Sequence, residues 1–233
     1  MPERYARRIP EPTVIRLPLY QRVLSVLAQD RVATVSSAEL AEACGVNAAK
    51  VRKDLSHFGT YGTPGTGYDV EYLLGQIKRE LGSDRQRPVV ICGMGNLGHA
   101  LAGSPGFRTG GFEVVGLFDV APRRIGEMVA GCPISHISEL AGVCASEQVS
   151  IGVVATPPNA AQDVSDRLVA AGVTGILNFA PAVVSVPFSV QLRQVDFSAE
   201  LQVLAFYQAH PETAVARRNG ERQSSDPGSR HGV

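Results

Sequence analysis

Apolar and polar residues change rhythm along this chain. Between residues 13 and 82 apolar positions recur at helical spacing, and between 88 and 196 short apolar runs alternate with helical stretches. The runs 88–92, 113–118, 151–155 and 175–179 are short, continuous and rich in branched residues. They predict buried strands of a parallel α/β domain. Upstream, Ser36 and Glu39 form a capping box for a helix carrying Leu40, Ala41 and Cys44. Gly45 breaks that helix, Val46 plugs the turn, and Asn47 caps a second helix whose inward face is Val51, Leu55 and Phe58. The segment GTYGTPGTGY at 59–68 predicts a β-hairpin, and the polar GSDRQRP at 82–88 a boundary. The expected organisation is a flexible arm over 1–12, a small helical domain over 13–84, an α/β domain over 85–196, a last helix over 197–210 and a disordered tail over 211–233.

The first predicted strand runs into Gly93-Met94-Gly95-Asn96-Leu97-Gly98, a Gly-x-Gly-x-x-Gly turn. Gly93 permits the turn, Gly95 lets a pyrophosphate approach the backbone, and Gly98 lets the next helix pack on the strand. The second run ends in Asp119, 21 residues after Gly98. An acid there is placed to accept hydrogen bonds from adenosine ribose hydroxyls and to repel a 2′-phosphate, which favours NAD(H) over NADP(H). The fold class is therefore α/β, with a Rossmann-like dinucleotide-binding domain. Thr156, Pro157, Asn178 and Phe179 fall at the carboxyl ends of later strands and are candidates for the nicotinamide end. Ordinary strand-to-helix turns are the alternative reading for each of them.

Ala41 followed four residues later by Gly45 suits a helix-turn-helix, because the crossing helices need a small residue and the turn needs positive φ. Ala49, Lys50 and Lys53 then lie at the start of a recognition helix facing the major groove. With the hairpin as a wing, this predicts an N-terminal winged helix-turn-helix. A small helical interaction domain with a basic face is the alternative.

Net charge is zero over the chain, but residues 1–66 hold nine Arg/Lys against six acids. The excess agrees with a nucleic-acid partner without requiring one. No run is long enough to cross a bilayer, and the charged N-terminus has no apolar segment behind it. The expected address is cytoplasmic. Cys44, Cys92, Cys132 and Cys144 include no C-x-x-C pair and no histidine at ligand spacing, so no metal site is expected.

A winged helix followed by a dinucleotide fold resembles the Rex family of redox-sensing transcriptional repressors. The resemblance covers about residues 13–207 and rests on VRKDLSHFGTYGTPGTGY, GMGNLGHAL, GILNFAP and VDFSAEL. It implies a homodimer that binds an inverted-repeat operator of double-stranded DNA when NAD⁺ dominates and leaves it when NADH rises. It places Arg16, Asn47, Ala49, Lys50, Arg52, Lys53, Tyr61 and Gly62 at the DNA. It makes Arg22 and Asp196 an interdomain coupling pair, with Asp196 near the nicotinamide, and implies a domain-swapped C-terminal helix through which the partner subunit inserts Phe197 by the nicotinamide pocket. Two positions depart from the family. Ser104 stands where the family commonly has a tyrosine that helps discriminate reduced nicotinamide. Pro64 stands where its wing commonly has an arginine for the minor groove.

The final helix, SAELQVLAFYQA at 198–209, is apolar nearly all round and needs cover on every side. Insertion between two subunits and burial within one both satisfy that need. An NAD-dependent dehydrogenase is the rival function and requires an acid/base and a substrate cation. The chain has no lysine after residue 88, and the candidate bases are His99, His136, His210 and Asp196. A CoA- or nucleotide-binding module is the third reading.

Overall fold

The computed structural model describes residues 9–59, 62–63 and 66–211. The chain divides into two compact units, one spanning Arg85–Gln208 and the other holding what precedes and follows it.

In the first unit α1 (Glu11–Gln29) leads to β1 (Thr34–Val35), α2 (Ser37–Cys44), α3 (Ala48–Ser56), β2 (Gly62–Thr63), β3 (Gly67–Asp69) and α4 (Val70–Leu81). Helix α1 starts inside the expected flexible arm, with Pro12 in its first turn. There proline's missing N–H is harmless and its fixed φ suits the helix. The capping box forms as read: Glu39 N–H donates to Ser36 Oγ at 3.1 Å, and Ser36 N–H donates to Glu39 Oε2 at 2.8 Å. Gly45 ends α2 at φ +65°, a left-handed turn that glycine adopts without a Cβ penalty. Leu17, Tyr20 and Leu24 of α1 bury one stripe against Leu40, Val51 and Leu73. The strands form a three-stranded antiparallel sheet in the order β1-β3-β2, so the wing gains a strand that the residue pattern did not announce.

The second unit contains β4 (Arg87–Cys92), α5 (Asn96–Ala102), α6 (Pro105–Thr109), β5 (Phe112–Asp119), β6 (Met128–Val129), β7 (Cys132–His136), α7 (Leu140–Ser146), β8 (Ile151–Val154), α8 (Ala161–Ala170), β9 (Gly175–Asn178), β10 (Gln191–Gln194) and α9 (Phe197–Ala209). Its sheet runs β10-β9-β8-β4-β5-β7-β6, parallel throughout except for the β6–β7 pair. The first strand of this unit, β4, lies in the middle, with β5 on one side and β8 on the other. The strand order therefore reverses there, which opens a crevice at the carboxyl ends of β4 and β8. Val90, Cys92, Phe118 and Val154 are buried on one face of the sheet and Ile91, Leu117 and Val153 on the other. Burial on both faces is why these strands read as unbroken apolar runs. Leu201, Val203, Leu204 and Phe206 of α9 stay at least half exposed.

Candidate functional site

The turn after β4 shows three glycines with three different physical roles. Gly93 has φ +96°, and a Cβ there would lie 2.7 Å from the Ala155 backbone. Gly98 lies against that turn so tightly that a Cβ would fall 2.0 Å from the Gly93 carbonyl oxygen. Gly95 is the opposite case, since a Cβ there would meet nothing within 4 Å. The backbone at Gly95 thus faces open space at the crevice, as a pyrophosphate requires. Asn96 is exposed and Leu97 half-buried, whereas the Met94 side chain is fully buried in the core. Met94 serves the site through its backbone alone.

That backbone is tied to Asp119. Met94 N–H donates to Asp119 Oδ2 at 2.7 Å, and Arg124 Nη1 donates to the same oxygen at 2.9 Å. Val120 and Ala121 N–H both donate to Oδ1 at 2.8 Å. Burial alone would raise this carboxyl's pKa; the hydrogen bonds from Ala121, Met94 and Arg124 outweigh it and hold it below the usual carboxylate range. Next to the turn, His99 Nδ1 faces the Gly95 carbonyl at 3.0 Å and Nε2 faces Glu127 at 3.3 Å. Both partners are acceptors, so the ring is held toward its doubly protonated form, first by Gly95 and then by Glu127.

Thr156 stands across the crevice, with its methyl aimed at Gly93. Its Oγ1 is buried and has no hydrogen-bond partner, which leaves a polar atom at the cradle for a ligand to satisfy. Pro157 beside it is exposed. Asn178 behaves differently from the sequence expectation. Its amide donates to Gln194 Oε1 at 2.7 Å and to Ala182 O at 3.2 Å, and its Oδ1 accepts from Ala180 N–H at 2.9 Å. This side chain shapes the loop after β9 rather than reaching toward the crevice. Phe179 lies 6.1 Å from Phe197, centroid to centroid. Asp196 Oδ1 accepts from Ser198 N–H at 2.8 Å and Ala199 N–H at 3.3 Å, which caps α9. Its expected partner Arg22 belongs to the other unit, on α1. The open glycine, the orphaned threonine hydroxyl and the acid that ends β5 fit a dinucleotide.

Ser104 sits away from these groups as the cap of α6, accepting from Gly106 N–H at 3.3 Å. It borders a separate cavity of about 590 Å³ shared with Arg108, Glu113 and Cys132 at the amino ends of β4 and β5.

In the first unit, α3 turns Val51, Asp54 and Leu55 inward and leaves Ala49, Lys50, Arg52 and Lys53 exposed. Asn47 caps the helix by accepting from Ala49 N–H at 2.7 Å. Arg52 reaches sideways and donates to Ser37 Oγ at 2.9 Å. Arg16 departs furthest from its expected place. Its Nε and Nη2 donate to Asp54 at 2.6 and 2.7 Å, a bidentate pair that turns the guanidinium toward α3. Thr13 and Tyr20 hydroxyls also donate to Asp54, at 2.9 and 2.7 Å. Asp54 is 2% exposed, so this network is buried and was not visible as a site in the residue pattern. Thr13, Arg16 and Tyr20 do fall at i, i+3, i+7 on α1, giving the buried stripe a polar edge at the Tyr20 hydroxyl. Gly62 is a packing glycine, because a Cβ would lie 2.8 Å from the Tyr68 ring. Tyr61 and Pro64 lie outside the described residues, as do residues 1–8 and 212–233 of the expected arm and tail.

Residues 8–56 match a family described as a putative DNA-binding protein N-terminus, and residues 84–182 one described as a CoA binding domain. The redox-sensing transcriptional repressor Rex of Streptomyces coelicolor is 55% identical over 97% of this chain and 84% of its own length. Rex of Pelotomaculum thermopropionicum is 43% identical over 86% and 94%. A crystal structure of RSP with β-NAD⁺ and operator DNA superposes with a TM-score of 0.82 at 35% identity, covering 92% of this chain and 99% of that one. RSP with β-NADH gives 0.79 at 33% identity, covering 91% and 98%. With identity this high across both units, the chain belongs to the Rex family of redox-sensing transcriptional repressors.

Proposed function

We propose that this protein is a transcriptional repressor whose hold on operator DNA depends on which form of NAD(H) fills the Gly93–Gly98 cradle. The observation carrying this reading is the coexistence, in one chain, of a dinucleotide cradle and an exposed Lys50/Lys53 helix face. RSP, solved with operator DNA and NAD⁺ and with NADH, is similar to both units at once. Gly95, Thr156, Pro157 and Phe179 line the coenzyme path, and Asp119 receives the adenosine ribose. Reduced and oxidised nicotinamide differ in charge and ring planarity, and a ligand shifts a conformational equilibrium only by its differential affinity. The chain acts as a homodimer, with α9 covered by the second copy and two α3 helices set about 34–36 Å apart for successive major grooves. Arg22 and Asp196 couple the two units, and the site of action is the chromosome in the cytoplasm.

Three of the four rival dehydrogenase bases have other occupations. Asp196 caps α9, His99 bridges Gly95 and Glu127, and His136 faces Ser138 at the exposed end of β7. These placements support sensing over hydride transfer.

Anisotropy of a labelled inverted-repeat duplex tests the proposal as NADH is titrated against fixed NAD⁺. Operator affinity should fall about 5–150-fold, the span of ordinary allosteric coupling. Constant affinity across the titration rejects the sensor. On the DNA side, K50A and K53A should each weaken binding by about 1–3 kcal/mol. A lysine on phosphate will lower the salt dependence by about one ion for every duplex sequence. A lysine on a base edge will instead relax specificity at one position. Measuring both variants on cognate and scrambled duplexes at several salt concentrations separates the two. An unchanged Kd for both would remove α3 from the interface.

A further inference from the structure

The Asp119 carboxylate has no acceptor capacity left. Each oxygen carries two lone pairs, and Met94, Val120, Ala121 and Arg124 supply four donors. Three of these donors are backbone amides fixed by the glycine turn and by the turn after β5. The fourth is the end of a long side chain that is 29% exposed. A ribose 2′-hydroxyl that donates to Asp119 therefore takes the place of Arg124. Its backbone stays anchored, since Arg124 N–H donates to Ala121 O at 2.9 Å and Glu127 N–H donates to Arg124 O at 3.1 Å. The displaced guanidinium thus remains beside the ribose. A bare carboxylate excludes a 2′-phosphate by charge. A carboxylate with a guanidinium at hand presents no net charge, and the guanidinium's planar fork matches phosphate oxygens.

We infer that Arg124 is a specificity-determining residue of the coenzyme site: it offsets Asp119 toward a 2′-phosphate, so NADH and NADPH are separated less sharply than the acid alone would separate them. This rests on the reading of the cradle as an NAD(H) site. The preference for NADH remains, because Asp119 still rewards a free 2′-hydroxyl, but its size is set by an ion pair at the site's rim.

The experiment titrates the full-length protein, R124Q and R124K with NADH and with NADPH, following nicotinamide fluorescence. The wild type should bind both, with the NADPH Kd no more than about a hundredfold above the NADH Kd. R124Q should raise the NADPH-to-NADH ratio of Kd values about tenfold, and R124K, which keeps the charge but loses the fork, should raise it less. A guanidinium that merely braces the turn would change both affinities together and leave the ratio still. A ratio that rises less than about threefold in R124Q overturns the assignment. So does a wild-type ratio above about a hundredfold, a measurement that needs no variant. If the wild type binds neither coenzyme, the cradle reading itself fails; if it binds NADH but the ratio does not move, only the role of Arg124 does.

Discussion

G98A will abolish coenzyme binding, while G95A will weaken it without touching the fold. The two glycines lie three residues apart in one turn, yet their surroundings are opposite. A Cβ on Gly98 would sit 2.0 Å from a backbone carbonyl oxygen, where real contacts stay above 3.0 Å. No side-chain rotation relieves a clash with backbone, so α5 must move off the Gly93 turn. That movement strains the Met94 N–H to Asp119 bond that holds the cradle shut at its base. The cost is about 3 kcal/mol of stability, the upper end of overpacking, and a coenzyme Kd raised at least about a hundredfold. Gly95 has φ −75°, ordinary for alanine, and open space at its Cβ. G95A should therefore keep its stability within about 0.5 kcal/mol. Its methyl would occupy the volume meant for the pyrophosphate and raise the Kd at least about tenfold. Urea midpoints and NADH titrations of the pair decide the matter. A G95A protein that binds NADH like the wild type would remove the coenzyme from this turn.

D54A should lower stability by about 3 kcal/mol, because it leaves two buried hydroxyls and a partly exposed Arg16 charge without their acceptor. Replacing both ends of the pair by apolar residues is less harmful than removing one. R16M/D54L should accordingly recover much of the lost stability. It should not recover operator binding, because it removes the bidentate pair that ties α3 to α1. Full recovery of both properties in the double variant would show the network to be packing alone. The same carboxyl predicts an acid response. Burial would raise its pKa, but hydrogen bonds from Arg16, Tyr20 and Thr13 prevail and hold it below the usual range. A depressed folded pKa stabilises the fold above the unfolded value near 3.9, and that contribution disappears as pH falls through the folded value. Urea unfolding from about pH 5 down to about pH 2 should show stability falling with acid, less steeply in R16M/D54L.

Residue pattern alone revealed those parts of the fold where one physical demand dominates. Strands β4, β5, β8 and β9 carry buried residues on both sheet faces and were found within a residue of their ends. Strands β7 and β10 escaped. In β7 only Ile134 is buried, and in β10 Gln191, Arg193 and Gln194 are exposed on an edge that pairs with β9 alone. Strands this short with so few inward residues give too little apolar period to read. The glycine turn was legible because steric demands there are local. The Asp54 network and the Asn178 clasp were not, because each depends on partners 16 to 41 residues away. Polar side chains at such positions look like surface or ligand contacts until the chain brings their partners to them. Asn178, a candidate coenzyme contact, and Arg16, a DNA contact implied by resemblance, show internal partners of this kind.

The amide clasp has a mechanical outcome. Asn178 Nδ2 holds Gln194 Oε1 at 2.7 Å, and Gln194 Nε2 holds Ala180 O at 2.8 Å. Two residues past Gln194, Asp196 roots the final helix. The loop after β9 and the strand leading into that helix are therefore tied by a reciprocal pair of amide bonds. A helix of 13 residues is a rod about 20 Å long. Any tilt that reaches the root of α9 through these two amide bonds grows in proportion to the distance along the rod.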